Sequence, residues 1–247
     1  MKTFNDIGLN KDILRALDEM GFEIPTPIQA KVIPHLMSSD QDIIATAQTG
    51  TGKTAAFGLP AIHLADGGNK KTQTLVLCPT RELCVQITRD LMSYSKYLKG
   101  INILAVYGGA KISNQIRALK QGAQIVIGTP GRTRDLINRK NLSIGHIERV
   151  ILDEADEMLD MGFREDLEEI LDATPETRRT LLFSATMPRQ IERLAERYQS
   201  NSLRLSLVGQ DRGHGDISYQ AITVSPAEVE NAVVNLLRYH EAETAIL

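Results

Sequence analysis

Residues 42–54 read Asp42-Ile43-Ile44-Ala45-Thr46-Ala47-Gln48-Thr49-Gly50-Thr51-Gly52-Lys53-Thr54. An apolar, β-branched run passes into a loop with two glycines, and a helical pattern over Lys53–Leu64 opens directly behind it. A run that is apolar on both faces suits a strand buried between two layers. Glycines at 50 and 52 let the backbone curl so that several N–H groups converge on one anion, and the helix N-terminus adds the positive end of its dipole. Lys53 has the reach for β- and γ-phosphates, and the Thr54 hydroxyl suits a Mg²⁺ ligand. Ala47–Thr54 is thus a phosphate-loop pattern that departs from the common form only in starting with Ala instead of Gly. A plain glycine turn with a surface lysine is the alternative, and the strand before and helix after disfavour it.

The same alternation continues outward. Apolar runs recur at Thr74–Cys78, Asn102–Val106, Gln124–Gly128, Val150–Asp153, Thr180–Ser184 and Leu203–Leu207, with helical patterns such as Glu82–Tyr97, Gly162–Leu171 and Arg189–Tyr198 between them. This predicts an α/β domain with a mainly parallel sheet of about seven strands, helices on both faces, and its ligand sites at the strands' carboxyl ends. At one such end Val150-Ile151-Leu152 runs into Asp153-Glu154-Ala155-Asp156. Asp153 is placed to hold Mg²⁺, and Glu154 to orient or deprotonate an attacking water. An acidic helix start would look similar by itself, but a phosphate loop needs such a partner.

The 247 residues carry a net charge of −3, with 42% hydrophobic and 24% charged side chains. A protein gripping nucleic acid through bulk charge would be basic, so any such contact must come from a few placed residues. No apolar run reaches the ~18 residues of a membrane span, and the N-terminus has no signal-peptide pattern. Cys78 and Cys84 stand in no secreted-type framework, and His35, His63, His146, His214 and His240 show no metal-ligand spacing. Met158 and Met161 read as core. The expectation is a cytoplasmic monomer.

Asp153-Glu154-Ala155-Asp156 is identical to the motif that names the DEAD-box RNA helicases, and further stretches resembling that family follow in its order. Gly21-Phe22-Glu23-Ile24-Pro25-Thr26-Pro27-Ile28-Gln29 resembles the adenine-sensing motif, with Phe4 seventeen residues before Gly21. Pro79-Thr80-Arg81-Glu82-Leu83, Gly108-Gly109, Thr129-Pro130-Gly131-Arg132, Gly162-Phe163-Arg164 and Ser184-Ala185-Thr186 match as well. Cys84 and Thr133 depart from common family residues. The resemblance spans residues 4–207 and implies a RecA-like domain that binds ATP and Mg²⁺. Gln29 would read adenine through its amide, as a carboxamide can pair with N6 and N7, with Phe22 and Phe4 beside the base. Ala47, Gln48, Thr49, Gly50, Thr51, Gly52, Lys53 and Thr54 would hold the phosphates. Thr80, Arg81, Gly109, Thr129, Arg132 and Arg164 would hold the RNA sugar–phosphate backbone without reading sequence. Ser184 and Thr186 would bond the acidic motif and couple ATP state to RNA.

Simpler roles stay open for several of these: core packing for Phe22 and Phe4, ion pairs to Glu82 and Asp135 for Arg81 and Arg132, and helix capping for Ser184 and Thr186. The three-glycine stretch 208–218 reads as a linker. Beyond it Tyr219–Val224 suggests a strand, Ser225-Pro226 caps a helix with Val229, Val233, Leu236 and Leu237 apolar, and Thr244–Leu247 suggests the start of another strand. The resemblance implies that residues 219–247 begin a second RecA-like lobe, which in the family supplies arginine fingers. Without it, the chain alone is expected to be weakly active. Two rival classes are a non-catalytic nucleotide- and RNA-binding module and another phosphate-loop machine, such as a DNA translocase or nucleotide kinase. The Gln29 motif disfavours the last.

Overall fold

Every apolar run over residues 42–207 becomes a strand in the computed structural model of the chain, which describes residues 3–207 and 221–240. These are β1 (Ile43–Thr46), β2 (Thr74–Leu77), β3 (Ile103–Val106), β4 (Ile125–Gly128), β5 (Arg149–Leu152), β6 (Arg179–Ser184) and β7 (Leu203–Ser206). They form one parallel sheet in the order β3-β4-β2-β5-β6-β1-β7. Before β1 run α1 (Lys11–Glu19) and α2 (Pro27–Ser38), and between the strands run α3 (Lys53–His63), α4 (Arg81–Tyr94), α5 (Ile112–Gln121), α6 (Pro130–Asn138), α7 (Ala155–Asp160), α8 (Arg164–Ala173) and α9 (Arg189–Tyr198).

Alternate residues of each strand enter opposite cores, as the two-residue period requires. Ile43, Ala45, Val76, Ile151 and Phe183 pack with α1–α4, where the Phe57 and Phe183 rings meet at 5.3 Å. Ile44, Leu75, Val150, Leu152 and Leu182 pack with α6–α9. At the amino-terminal strand edge Arg149 and Arg179 lie side by side in register and are buried. Arg179 donates to the carbonyls of Leu36 (3.1 Å) and Gln41 (3.2 Å), satisfying the C-terminal end of α2. Arg149 reaches the Glu148 carboxylate (2.7 Å) and Thr74 Oγ1 (3.3 Å). They anchor helices to the sheet at the edge away from the loops.

The chain divides into two units, Met1–Gln210 and Asp211–Leu247. In the second, Ser225 N and Oγ both engage the Glu228 carboxylate, and Pro226–Glu228 leads into α10 (Val229–Tyr239), the capped helix the sequence predicts. Two expectations change. Residues 221–224, within the anticipated strand, have no regular secondary structure, because a strand exists only through a ladder with a neighbour. Met161 is 48% exposed, unlike the buried Met158; α7 ends at Asp160, and the chain turns at Gly162 with φ +84°. The linker 208–218 and the stretch Thr244–Leu247 lie outside the described residues. Among those described, no helix is long and apolar enough to cross a membrane.

Candidate functional site

Strand order sorts the sequence motifs. Those following β1, β5 and β6 come from three adjacent strands, and those following β2, β3 and β4 from the other three. At the first group the loop after β1 bends through Gly50 (φ +80°) and Gly52 (φ +88°), and Gly52 stands at the N-cap of α3. Ala47 N donates to Ser184 O (3.0 Å), tying the loop's start to the end of β6. Thr51 Oγ1 donates to Gln48 O (2.8 Å), closing the turn on itself. Gln48, Thr49 and Gly50 are exposed, Thr51 and Thr54 half-buried.

The Lys53 ammonium lies 3.9 Å from Asp153 Oδ1, with both side chains almost wholly buried, and it has no hydrogen-bond partner among the described residues. A buried ammonium is normally satisfied by several acceptors, so its surroundings suit an incoming anion. Burial raises the Asp153 carboxyl to about 6; Lys53 opposes that shift and Glu154 adds to it. Glu154 has left-handed backbone, φ 53° and ψ 52°, while its N–H donates to Asp153 Oδ1 (3.1 Å). Such a conformation costs a non-glycine residue about 1–2 kcal/mol and tends to collect at functional sites.

Gln29 is buried and grips the same loop: Nε2 donates to Gly52 O (3.1 Å), and Oε1 accepts from Thr26 N (2.9 Å). Thr26 Oγ1 donates to Thr51 O (2.9 Å). The amide so held still has a second N–H and a second lone pair to offer. Phe22 is half-buried between Phe4 (centroids 6.1 Å apart) and Tyr94 (6.0 Å, edge-on). Phe4 is itself 3% exposed and part of the core, so it packs the terminus as well as standing by Phe22. A cleft of 590 Å³ opens beside them, lined among others by Thr3, Asn5, Arg15 and Glu23.

Beyond β6, Thr186 N and Oγ1 donate to Asp156 Oδ2 at 2.9 and 2.8 Å. Burial pushes the Asp156 carboxyl up, but the Thr186 hydrogen bonds outweigh it and hold the group below the ordinary carboxylate range; the buried Ser184 hydroxyl acts in the same direction without the geometry of a full hydrogen bond. Thr186 thus bonds the acidic motif, and α9 takes Pro188 as its N-cap.

At the second strand group Thr80 caps α4, accepting from Leu83 N (3.2 Å). The Arg81 guanidinium lies over the Tyr107 ring at 5.1 Å, and a Cβ placed on Gly109 (φ +80°) would stand 3.7 Å from its nitrogen. Arg132 donates to Gln115 Oε1 (2.9 Å) and Ala110 O (3.3 Å). Neither arginine takes the acidic neighbour that the sequence left open: Asp135 bonds Arg139 (2.6 Å), and Arg81 has no ion pair with Glu82 among the described residues. Thr129 N-caps α6, its N–H bonded to Val106 O (3.1 Å). Arg164, at the start of α8, is exposed and paired to Glu168 (2.8 Å). The sequence did not single out Thr26, Asp156's hydroxyl partner geometry, Tyr107 or Gln115. A capping threonine before Gln29 was a usable signal for the first; a lone glutamine in a polar helix offers none.

A further cleft, of 630 Å³, lies at the opposite strand edge near Arg149, Arg178 and Arg179; it holds none of the motifs.

The family model described as DEAD/DEAH box helicase matches residues 26–194. The chain is 46% identical over all its 247 residues to the DEAD-box ATP-dependent RNA helicase CshA of Bacillus cereus, covering 47% of that protein. It is 44% identical over 245 residues to the ATP-dependent RNA helicase DeaD of Escherichia coli K12, covering 99% of this chain and 39% of that one. The crystal structure of a DEAD box protein from the hyperthermophile Methanococcus jannaschii superposes with a TM-score of 0.80 at 43% identity, covering 96% of this chain and 63% of that one. The chain therefore spans less than half the length of these two curated relatives. On the order of its motifs, its RecA-like sheet and these matches, the chain belongs to the DEAD/DEAH box helicase family.

Proposed function

We propose that this chain is the ATP-binding lobe of an enzyme that separates short RNA duplexes or strips proteins from RNA, coupled to ATP hydrolysis. One observation carries the reading: a buried ammonium without a hydrogen-bond acceptor among the described residues, 3.9 Å from a buried carboxylate, at the mouth of a glycine loop. Backbone N–H groups of Ala47–Lys53 and the Lys53 ammonium take the phosphates. Gln29 reads adenine with its uncommitted amide edges, and Phe22, backed by Phe4, lies against the base. The orphaned Lys53 and the buried Asp153 carboxylate fit a phosphate-bound Mg²⁺, which Thr54 would hold directly and Asp153 through water. When bound, that ion neutralises charge developing between the β- and γ-phosphates. Glu154 orients or deprotonates the attacking water, its side chain aimed by the left-handed backbone.

Thr80, Arg81, Gly109, Thr129, Arg132 and Arg164 hold the RNA backbone, and Ser184 and Thr186 link the two activities through Asp156. Residues 1–207 form the lobe, 208–218 the linker and 219–247 the start of a second lobe. That lobe supplies arginine fingers, worth on the order of 10³–10⁵ in rate. The protein works as a cytoplasmic monomer. The test is Glu154→Gln in the full protein: ATP affinity is retained while RNA-stimulated phosphate release disappears. Parallel losses of both would assign Glu154 a structural role and overturn the catalytic reading. Equal binding of GTP and ATP by the unaltered protein would overturn the role of Gln29.

A further inference from the structure

Helix α5 buries one side chain, and that side chain is polar: Gln115, 6% exposed. Burying an amide is unfavourable unless its bonds are made, and both ends of this one are used. Nε2 donates to Tyr107 O (3.1 Å), and Oε1 accepts from Arg132 (2.9 Å). Arg132 also donates to Ala110 O (3.3 Å), while Arg81 stacks over the Tyr107 ring. Two guanidinium groups from separate helices are therefore registered on one turn, residues 107–110.

How they are held matters as much as where. Arg134, Arg139, Arg149, Arg164 and Arg197 each pair with a carboxylate within 4 Å. Arg81 and Arg132 make no such pair among the described residues; a π-face and neutral oxygens hold them instead. Neutral holders orient a cation without cancelling its charge. A glutamate at 115 would accept from Arg132 equally well but neutralise it.

We infer that Gln115 and Tyr107 are positioning residues that set the spacing and aim of Arg132 and Arg81 while leaving both fully charged for two phosphates of one RNA strand. This rests on the proposal that those arginines hold the RNA backbone. The test uses the full protein with a non-hydrolysable ATP analogue and a single-stranded oligouridylate, with affinity measured across a series of salt concentrations. Losing one phosphate contact on a single strand reduces the steepness of the salt dependence by about 0.7. Arg132→Ala and Gln115→Glu are each expected to show that reduction with roughly five- to tenfold weaker binding, and the double variant to be no worse than Arg132→Ala. Tyr107→Leu is expected to match Arg81→Ala, and Tyr107→Phe to restore the unaltered behaviour. ADP affinity stays unchanged throughout, which a general loss of fold would not allow. If the arginine variants leave RNA affinity and salt dependence unchanged, the RNA assignment itself fails. The positioning role is overturned if they act while Gln115→Glu and Tyr107→Leu do not, if the losses of the double variant add, or if Tyr107→Phe fails to rescue.

Discussion

At the carboxyl ends of β1 and β5 a buried cation and a buried carboxylate, Lys53 and Asp153, face one another, whereas at those of β2, β3 and β4 the arginines sit nearer solvent and lean on neutral atoms. Lys53 and Asp153 are nearly inaccessible; Arg81 is exposed and Arg132 half-buried. On the proposed reading, the difference follows from what each half would meet. A nucleotide phosphate in a closed loop is held best by few charges in low dielectric, where each is strong and poorly screened. A long polyanion is held by several cations that remain wet, each contributing little and each sensitive to salt. Changes in the first half should therefore be large, local and insensitive to salt, and in the second small and dependent on it.

The largest break should come from Lys53→Ala. It removes the buried ammonium that would meet the phosphates, whose charge-assisted contacts are worth about 1.5–3 kcal/mol each, so ATP affinity should fall on the order of 100-fold. RNA binding without nucleotide should change less than about twofold. Titration of a fluorescent ADP beside an RNA binding assay checks this, and equal losses in both would dissolve the distinction between the halves. Gly52→Ala should come next: the residue has φ +88°, and a Cβ there would stand 2.4 Å from Gln29 Nε2. The strain and the displaced amide should cost about 1–3 kcal/mol, read as a melting midpoint lower by several degrees together with weakened discrimination of ATP from GTP.

Thr186→Ala sharpens the comparison at the bond between the loop after β6 and the acidic motif. It removes a hydroxyl bond to a partly exposed carboxylate, worth no more than about 1 kcal/mol. Because the native Asp156 carboxyl is held below the ordinary range, its contribution is present above the unfolded value, about 3.9, and is lost as pH falls through the folded one. The stability gap between variant and unaltered chain should be widest near neutrality and narrow only as pH falls below the unfolded value; chemical denaturation in steps from pH 7 down to pH 2 would measure it. Arg164→Ala should do least. Its pair with Glu168 is exposed, so stability should move within about 0.5 kcal/mol, and only RNA affinity at low salt should weaken.

The sheet was legible because parallel strands buried on both faces are unbroken apolar runs, and the loop because two glycines between a strand and a helix have few other uses. That the loop and Asp153 come together could be inferred, since a phosphate loop and a strand-end carboxylate are complementary chemistry, but not that Lys53 itself approaches Asp153 to 3.9 Å. Less accessible was anything set by side chains meeting across helices. Gln29 announced its amide but not that half of it is spent on Gly52 and Thr26. Phe4 announced an aromatic and left open whether it packs the terminus, which it does. Met161 misled because its spacing from Met158 fits a helical face that ends one residue too soon. Gln115 was invisible for the opposite reason: nothing about a glutamine among Asn114 and Arg117 indicates burial, which arises only when α5 lies against β3.

The strand order also bears on how the molecule is made. Strands β2 to β5 pair among themselves within residues 74–152, so the arginine-bearing half can close as soon as that stretch has left the ribosome. β1 emerges far earlier but has only late neighbours: Asp42 bonds Thr180 N, 138 residues on, and Ile43 O waits for Gln199, 156 residues on. Such distant pairings form late and slowly. The nucleotide loop, encoded near the start, is therefore completed last. Until β6 and β7 arrive, β1 is an apolar strand with two open edges, the part of a nascent chain most prone to pair with the wrong partner and most in need of shelter.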